Sequence, residues 1–109
     1  MLDINDYQKR ASFTAQYPKE KAVEYLCLGL CSEAGEVAGK LKKVIRDNNS
    51  HLSETKKYEI ASELGDVLWY ISQLSLELNI PLDVVAHENL VKLYDRKSRN
   101  AIGGSGDSR

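Results

Sequence analysis

"KEKAVEYLCLGLCSEAGEVAGKLKKVIR", residues 19–46, decides the fold. Val23, Leu26, Cys27, Leu30, Ala34, Val37, Leu41, Val44 and Ile45 recur along it at steps of three and four. That is the period of an amphipathic helix, not the period of two of a strand. The spacing predicts one long helix over about 19–46. Downstream, "DNNSHLS" (47–53) supplies turn residues, and Ser53 is a natural N-cap for a second long helix ending near Asn79. Tyr58, Ala61, Leu64, Leu68, Ile71, Leu74 and Leu78 form its apolar stripe. Pro81 opens a further helix, Leu82 to about Arg99. A shorter one fills Asp3 to Gln16 with Ile4, Tyr7 and Ala11 inward. No strand remains, so the expected class is all-α: a bundle of about four helices whose two long members, joined by a short turn, pack antiparallel.

The two long helices carry nearly the same phrase, "SEAGEV" (32–37) and "SELGDV" (62–67). At about 100° per residue, Glu33 lies on the flank of the first apolar stripe with Glu36 about 60° further round. Glu63 and Asp66 occupy the same flank of the second helix. Antiparallel packing then faces four carboxylates across one cleft. Like charges at close range repel, and partly desolvated carboxylates need partners. A hard divalent cation resolves the conflict, and the oxygen-only donor set predicts Mg²⁺, with Mn²⁺ as a substitute. Absence of histidine from these positions argues against zinc. A single Glu-x-x-Glu is an ordinary solvated helix face, and Lys40 at i+4 of Glu36 makes an ordinary surface pair. The pairing of two such phrases on neighbouring helices carries the weight. Gly35 and Gly65, each costing roughly 1 kcal/mol against alanine in a helix, point to a close approach of another helix.

The remaining features bound the alternatives. The chain has 109 residues, 42% of them hydrophobic, and a net charge of −1. One domain over 1–109 is expected, with about 100–109 a flexible tail, and the charge gives no basic field for nucleic acid. No apolar run is long enough to span a membrane, and the N-terminus lacks a signal-peptide pattern, so the expected location is cytoplasmic. Cys27 and Cys31, without CxxC or paired histidines, read as buried reduced thiols. His51 and His87 read as solvated. Trp69 points away from its helix's stripe, toward a subunit contact.

"SEAGEVAGKLKK", "ELGDVLWYISQL" and "NLVKLYDR" together resemble the MazG-like nucleoside triphosphate pyrophosphohydrolases of the all-α NTP pyrophosphatase superfamily, whose signature is EExxE followed by ExxD. The likeness runs from about Tyr25 through "IGGSGDSR". It implies Mg²⁺ on Glu33, Glu36, Glu63 and Asp66, and hydrolysis of a (deoxy)nucleoside triphosphate to monophosphate and pyrophosphate. Ser32 departs from the family's usual glutamate. Either Glu33 or Glu36 is the expected proton acceptor for the attacking water. Asn89, Lys92 and Arg96, at i, i+3 and i+7 on the last helix, are expected to meet the phosphates, since the corresponding Asn and Lys lie near the triphosphate in the resembled family. Tyr70 offers a ring to the base, and Arg99 or Arg109 could close over the nucleotide. Leu28, Val84 and Val91, off the main stripes, point to a homodimer or homotetramer. Two alternatives stand beside this reading: a non-catalytic helical interaction module, and a selective dUTP or dCTP hydrolase of the same superfamily.

Overall fold

The computed structural model describes residues 1–108. Helix α1 (Ile4–Ala11) continues into a 3-10 turn, Ser12–Thr14. A second 3-10 turn, Lys19–Lys21, leads into α2 (Ala22–Asp47), followed by α3 (Glu54–Glu77) and α4 (Leu82–Ser98). No strand occurs among the described residues. The class and the helix count are those the periodicity implied. The start of α2 differs: after Pro18, Lys19–Lys21 wind as a 3-10 turn.

Local chemistry sets the boundaries. Asp3 Oδ1 accepts from Asp6 N–H at 2.8 Å and caps α1. Ser53 Oγ accepts from Lys56 N–H at 3.2 Å and caps α3, as its side chain and position require. Between them α2 reverses through Asn49 (φ 50°) and Ser50 (φ 63°), and Ser50 N–H donates back to Val44 C=O. Asn79 (φ 60°) closes α3, with Ile80 N–H donating to Ser75 C=O at 2.9 Å. This left-handed closure suits asparagine better than most side chains.

Helix α1 acts as a clamp on the other end of the molecule. Gln8, only 6% exposed, donates through Nε2 to Ser72 C=O and Ile80 C=O and accepts through Oε1 from Leu82 N–H at 3.0 Å. Asn5 Oδ1 accepts from Asp83 N–H. Two orphan donors at the start of α4 are thereby satisfied from α1 rather than by a cap on α4 itself. Tyr7 and Ala11 are half-buried, as the stripe implied, whereas Ile4 is 38% exposed.

The antiparallel α2–α3 pair is the frame. Its register can be read from three contacts: Gly29 against Tyr70, Glu33 against Asp66 and Glu63, and Lys40 against Glu59. The steps forward of four and seven along α2, from 29 to 33 to 40, are matched by equal steps back along α3, from 70 to 66 to 59. One face of the pair therefore presents a fixed series, aromatic, then acidic, then basic. The doubled phrase shares its burial as well: Glu33, Val37, Gly39 and Lys40 are half-buried, as are Glu63, Val67, Trp69 and Tyr70.

Few apolar side chains are enclosed. Ala22, Leu26, Val44 and Leu82 are buried, and full burial of a leucine or valine stabilises by roughly 1.5–3 kcal/mol. Much of both long stripes stays open: Leu41 is 49%, Leu64 54% and Leu68 39% exposed. The radius of gyration is 16.7 Å, against about 13 Å for a compact chain near this length.

Two sequence expectations are overturned. Trp69 is not free for a subunit: its indole N–H donates to Thr14 Oγ1 at 2.9 Å and to Ala11 C=O at 3.3 Å, because the 3-10 turn after α1 folds over that side of α3. Cys27 and Cys31 are exposed, not buried, since nothing among the described residues covers their side of α2, where Leu28 is 72% exposed. Among the described residues no helix is long and apolar enough to cross a membrane.

Candidate metal centre

The fixed register of α2 and α3 brings Glu33, Glu63 and Asp66 together, with one carboxylate oxygen of each within 4.8 Å of the others. Glu33 and Glu63 are half-buried and Asp66 is exposed. Burial, and then the charges of Asp66, Glu63 and Glu36, push the Glu33 carboxyl above its ordinary range. A hydrogen bond to Glu63 acts in the same direction. Glu36 is thus close enough to act on Glu33 electrostatically, but it is exposed and stands outside the three-carboxylate group. The expected set of four is observed as three plus a neighbour. A helical turn separates Glu33 from Glu36, and on this face only Glu33 leans toward both acids of α3.

Three hard oxygen donors without nitrogen or sulfur suit a hard divalent cation, and the carboxylates' mutual repulsion is what such a cation would relieve. The donor set fits.

An aromatic wall closes one end. Glu33, Asp66, Trp69 and Tyr70 line a cavity of about 320 Å³, near the lower end of ligand-pocket sizes. Trp69 meets Tyr70 edge to face at 4.9 Å, and Tyr17 stacks on Tyr25 at 5.7 Å. Burial first, then Tyr25, Glu33 and Asp66, raise the Tyr70 phenol. Gly29 makes this wall possible, because a Cβ there would overlap the Tyr70 ring. Gly35 and Gly65, expected to mark a close approach, have open space around them. The reason is the register: both stand on outward, exposed positions of their helices, and the tight crossing falls six residues before Gly35 and five after Gly65, at Gly29 and Tyr70.

The α4 residues stand elsewhere. Asn89 and Lys92 line a larger groove of about 630 Å³ with Ile80, Val84, Val85, Glu88, Val91 and Asp95. No member of the carboxylate cluster lines it. Arg96, 5% exposed, donates through Nη2 to Asp107 Oδ1 at 2.9 Å, and Lys92 Nζ reaches the same oxygen at 3.2 Å. No sequence pattern signals this Asp107 contact, since the segment around it has no period. Arg99 pairs with Asp95 at 2.9 Å, and Arg109 lies outside the described residues. Lys40, expected to pair with Glu36, instead stands 4.0 Å from Glu59, and Glu59 and Lys56, next to the carboxylates along the frame, were missed. Their signal was present, because Glu59 precedes Glu63 by one turn and Lys40 follows Glu36 by one turn.

A helical hairpin that pools carboxylates from both arms beside an aromatic cavity defines an all-α protein with an acidic site. Residues 21–100 match the MazG nucleotide pyrophosphohydrolase domain, and the chain belongs to that family, whose members generally depend on a divalent metal. It is 40% identical over 114 residues to the Gene 37 protein of Mycobacterium phage L5, an alignment covering 99% of this chain and 100% of that protein. No solved structure matches it.

Proposed function

We propose that the chain is a Mg²⁺-dependent hydrolase that cleaves a (deoxy)nucleoside triphosphate between the α- and β-phosphates, releasing the monophosphate and pyrophosphate. The observation that carries this is the convergence of Glu33, Glu63 and Asp66 beside Tyr70 and Trp69, in a chain of the MazG family. These three carboxylates hold the metal, with Mn²⁺ as a substitute. When bound, it supplies positive charge to neutralise phosphate oxygens and to acidify a water. Glu36, close to the cluster but not committed to it, is the carboxylate placed to take the water's proton, with Glu33 as a ligand. Tyr70 stacks on the base at the aromatic end.

Self-association completes this reading. The open stripes on α2 and α3 and the apolar groove on α4 fit a homodimer or homotetramer in which further helices cover them. Asn89, Lys92 and Arg96 meet phosphate in such an assembly if α4 of one subunit faces the hairpin of another.

Pyrophosphate release from a panel of canonical ribo- and deoxynucleoside triphosphates, with Mg²⁺ and then with chelator, tests the reaction. Metal-dependent formation of monophosphate plus pyrophosphate supports it and reveals the preferred base. No turnover by a folded protein across the panel, together with no Mg²⁺ or Mn²⁺ binding, leaves an acidic interaction module instead.

A further inference from the structure

Beyond the carboxylates, the same face of the hairpin turns basic. Lys40 Nζ stands 4.0 Å from Glu59 Oε2, and Lys56 Nζ reaches that oxygen at 2.9 Å. All three side chains are about one-third exposed, at 31%, 32% and 36%. Glu59 is four residues before Glu63, and Lys40 four after Glu36. At 1.5 Å per residue Lys56, seven residues before Glu63, lies about 10 Å further along the axis than the Glu36 and Glu63 level, and Lys40 and Glu59 about 6 Å. That is about the step from one phosphate of a triphosphate to the end of the chain.

We propose that Lys40 and Lys56, steadied by Glu59, form the cradle for the β- and γ-phosphates of the nucleotide and for the pyrophosphate that leaves. The inference rests on the nucleotide reading above and gives the substrate a direction: base at Tyr70, α-phosphate at the carboxylates, terminal phosphates toward the α2–α3 turn. Two ammonium groups share one carboxylate, so the trio keeps a net positive charge beside an acidic cluster. A simple ionic staple between the helices needs only one lysine, and partly exposed pairs of this kind contribute little to stability. Charge that develops on the leaving pyrophosphate is best met by cations already in place. Glu59 pairs with both lysines, and its own carboxyl is kept below the ordinary range by Lys56 first and Lys40 after it. The α4 cations do not serve this role within the chain, because Lys92 lines a groove that no member of the carboxylate cluster lines, and Arg96 pairs with Asp107 beside it.

The test is calorimetric binding of inorganic pyrophosphate in the presence of Mg²⁺, alongside steady-state hydrolysis, for the full chain and for Lys40→Gln, Lys56→Gln, Lys40→Arg and Lys56→Arg. Each glutamine variant should weaken pyrophosphate binding, and raise KM for the triphosphate, by about tenfold, the equivalent of roughly 1.4 kcal/mol. Inhibition by the monophosphate should stay as it is, and the arginine variants should recover most of the loss. Wild-type turnover with glutamine variants that bind pyrophosphate normally overturns the cradle alone. Pyrophosphate binding that needs both lysines but comes without turnover supports the cradle while sinking the hydrolase. If wild type neither binds pyrophosphate nor turns over, both fall. Should a glutamine variant fail to fold, the arginine variants still decide: a cradle tolerates them, and pyrophosphate binding absent from wild type removes it regardless.

Discussion

Gly29 lies directly against the ring of Tyr70, on the opposite arm of the hairpin, with no room between them for a methyl group. This crossing fixes how far α2 and α3 can close and where the aromatic end of the cavity stands. Gly29→Ala gains roughly 1 kcal/mol of helix propensity but forces the ring aside, and overpacking costs about 1–3 kcal/mol. The expected net is a modest fall in Tm with a several-fold rise in KM for nucleotide. In a Tyr70→Ala background the same substitution should stabilise, since only the propensity gain is left. Thermal melts of the four members of that cycle read the coupling directly.

The carboxylates should separate by role. Glu63→Gln, Asp66→Asn and Glu33→Gln are each expected to abolish the Mg²⁺-induced rise in Tm, which for an intact site at a hundredfold excess over Kd amounts to about 2.7 kcal/mol of stability. Without metal these variants should be as stable as wild type or more so, because each removes one of several mutually repelling charges. Glu36→Gln should keep the metal-induced shift and lose kcat, by on the order of 10²-fold or more. A Glu36 variant that loses the metal shift as completely as the others would put Glu36 back among the ligands.

The helices were legible in the sequence because period, caps and prolines agree: Ser53 and Pro81 stand where α3 and α4 begin. The acidic pairing was legible in part: the three-residue spacing on two antiparallel arms brings Glu33, Glu63 and Asp66 together, while Glu36 stays outside. What could not be read were relations that depend on distant partners. Trp69 finds Thr14 across 55 positions, Gln8 finds Leu82 across 74, and neither has a local pattern to announce it. Cys27 and Cys31 show a second limit. An apolar stripe tells which side of a helix avoids water, but not whether the same chain has anything with which to cover it.

Asp107 gives a pH-dependent signal at the other end of the molecule. Hydrogen bonds from Arg96 and then Lys92 hold its carboxyl below the usual range. A depressed folded value means that the contact is fully present above the ordinary aspartate pKa of about 3.9 and fades only as pH falls through the lower folded one. Amide chemical shifts of residues 103–107 should therefore stay constant down to about pH 4 and change below it. Asp107→Asn should give the changed spectrum already at pH 7, and raised salt should move wild type part of the way, because Asp107 is 80% exposed and the pair is screened.

Self-association is the prediction on which the shape of the molecule turns. Leu41, Leu64 and Leu68 extend the inward stripes of α2 and α3 yet stay 39–54% exposed, and the chain's radius of gyration exceeds the compact value by several ångströms. A lone subunit thus leaves half of each stripe in water, at about 25 cal/mol per Å² of apolar surface that could be covered. Sedimentation equilibrium should give a multiple of the 12.2 kDa chain mass. Leu68→Glu should return it to a single chain and lower Tm, because a charge in a covered seam is left unpaired. Leu28→Glu tests a different side of α2, where that leucine is 72% exposed, and mass retained there but lost at Leu68 would assign the seam to the continuous stripe. A wild-type protein that sediments at 12.2 kDa across the micromolar range would instead mean that these leucines remain open, and that one hairpin alone holds the site.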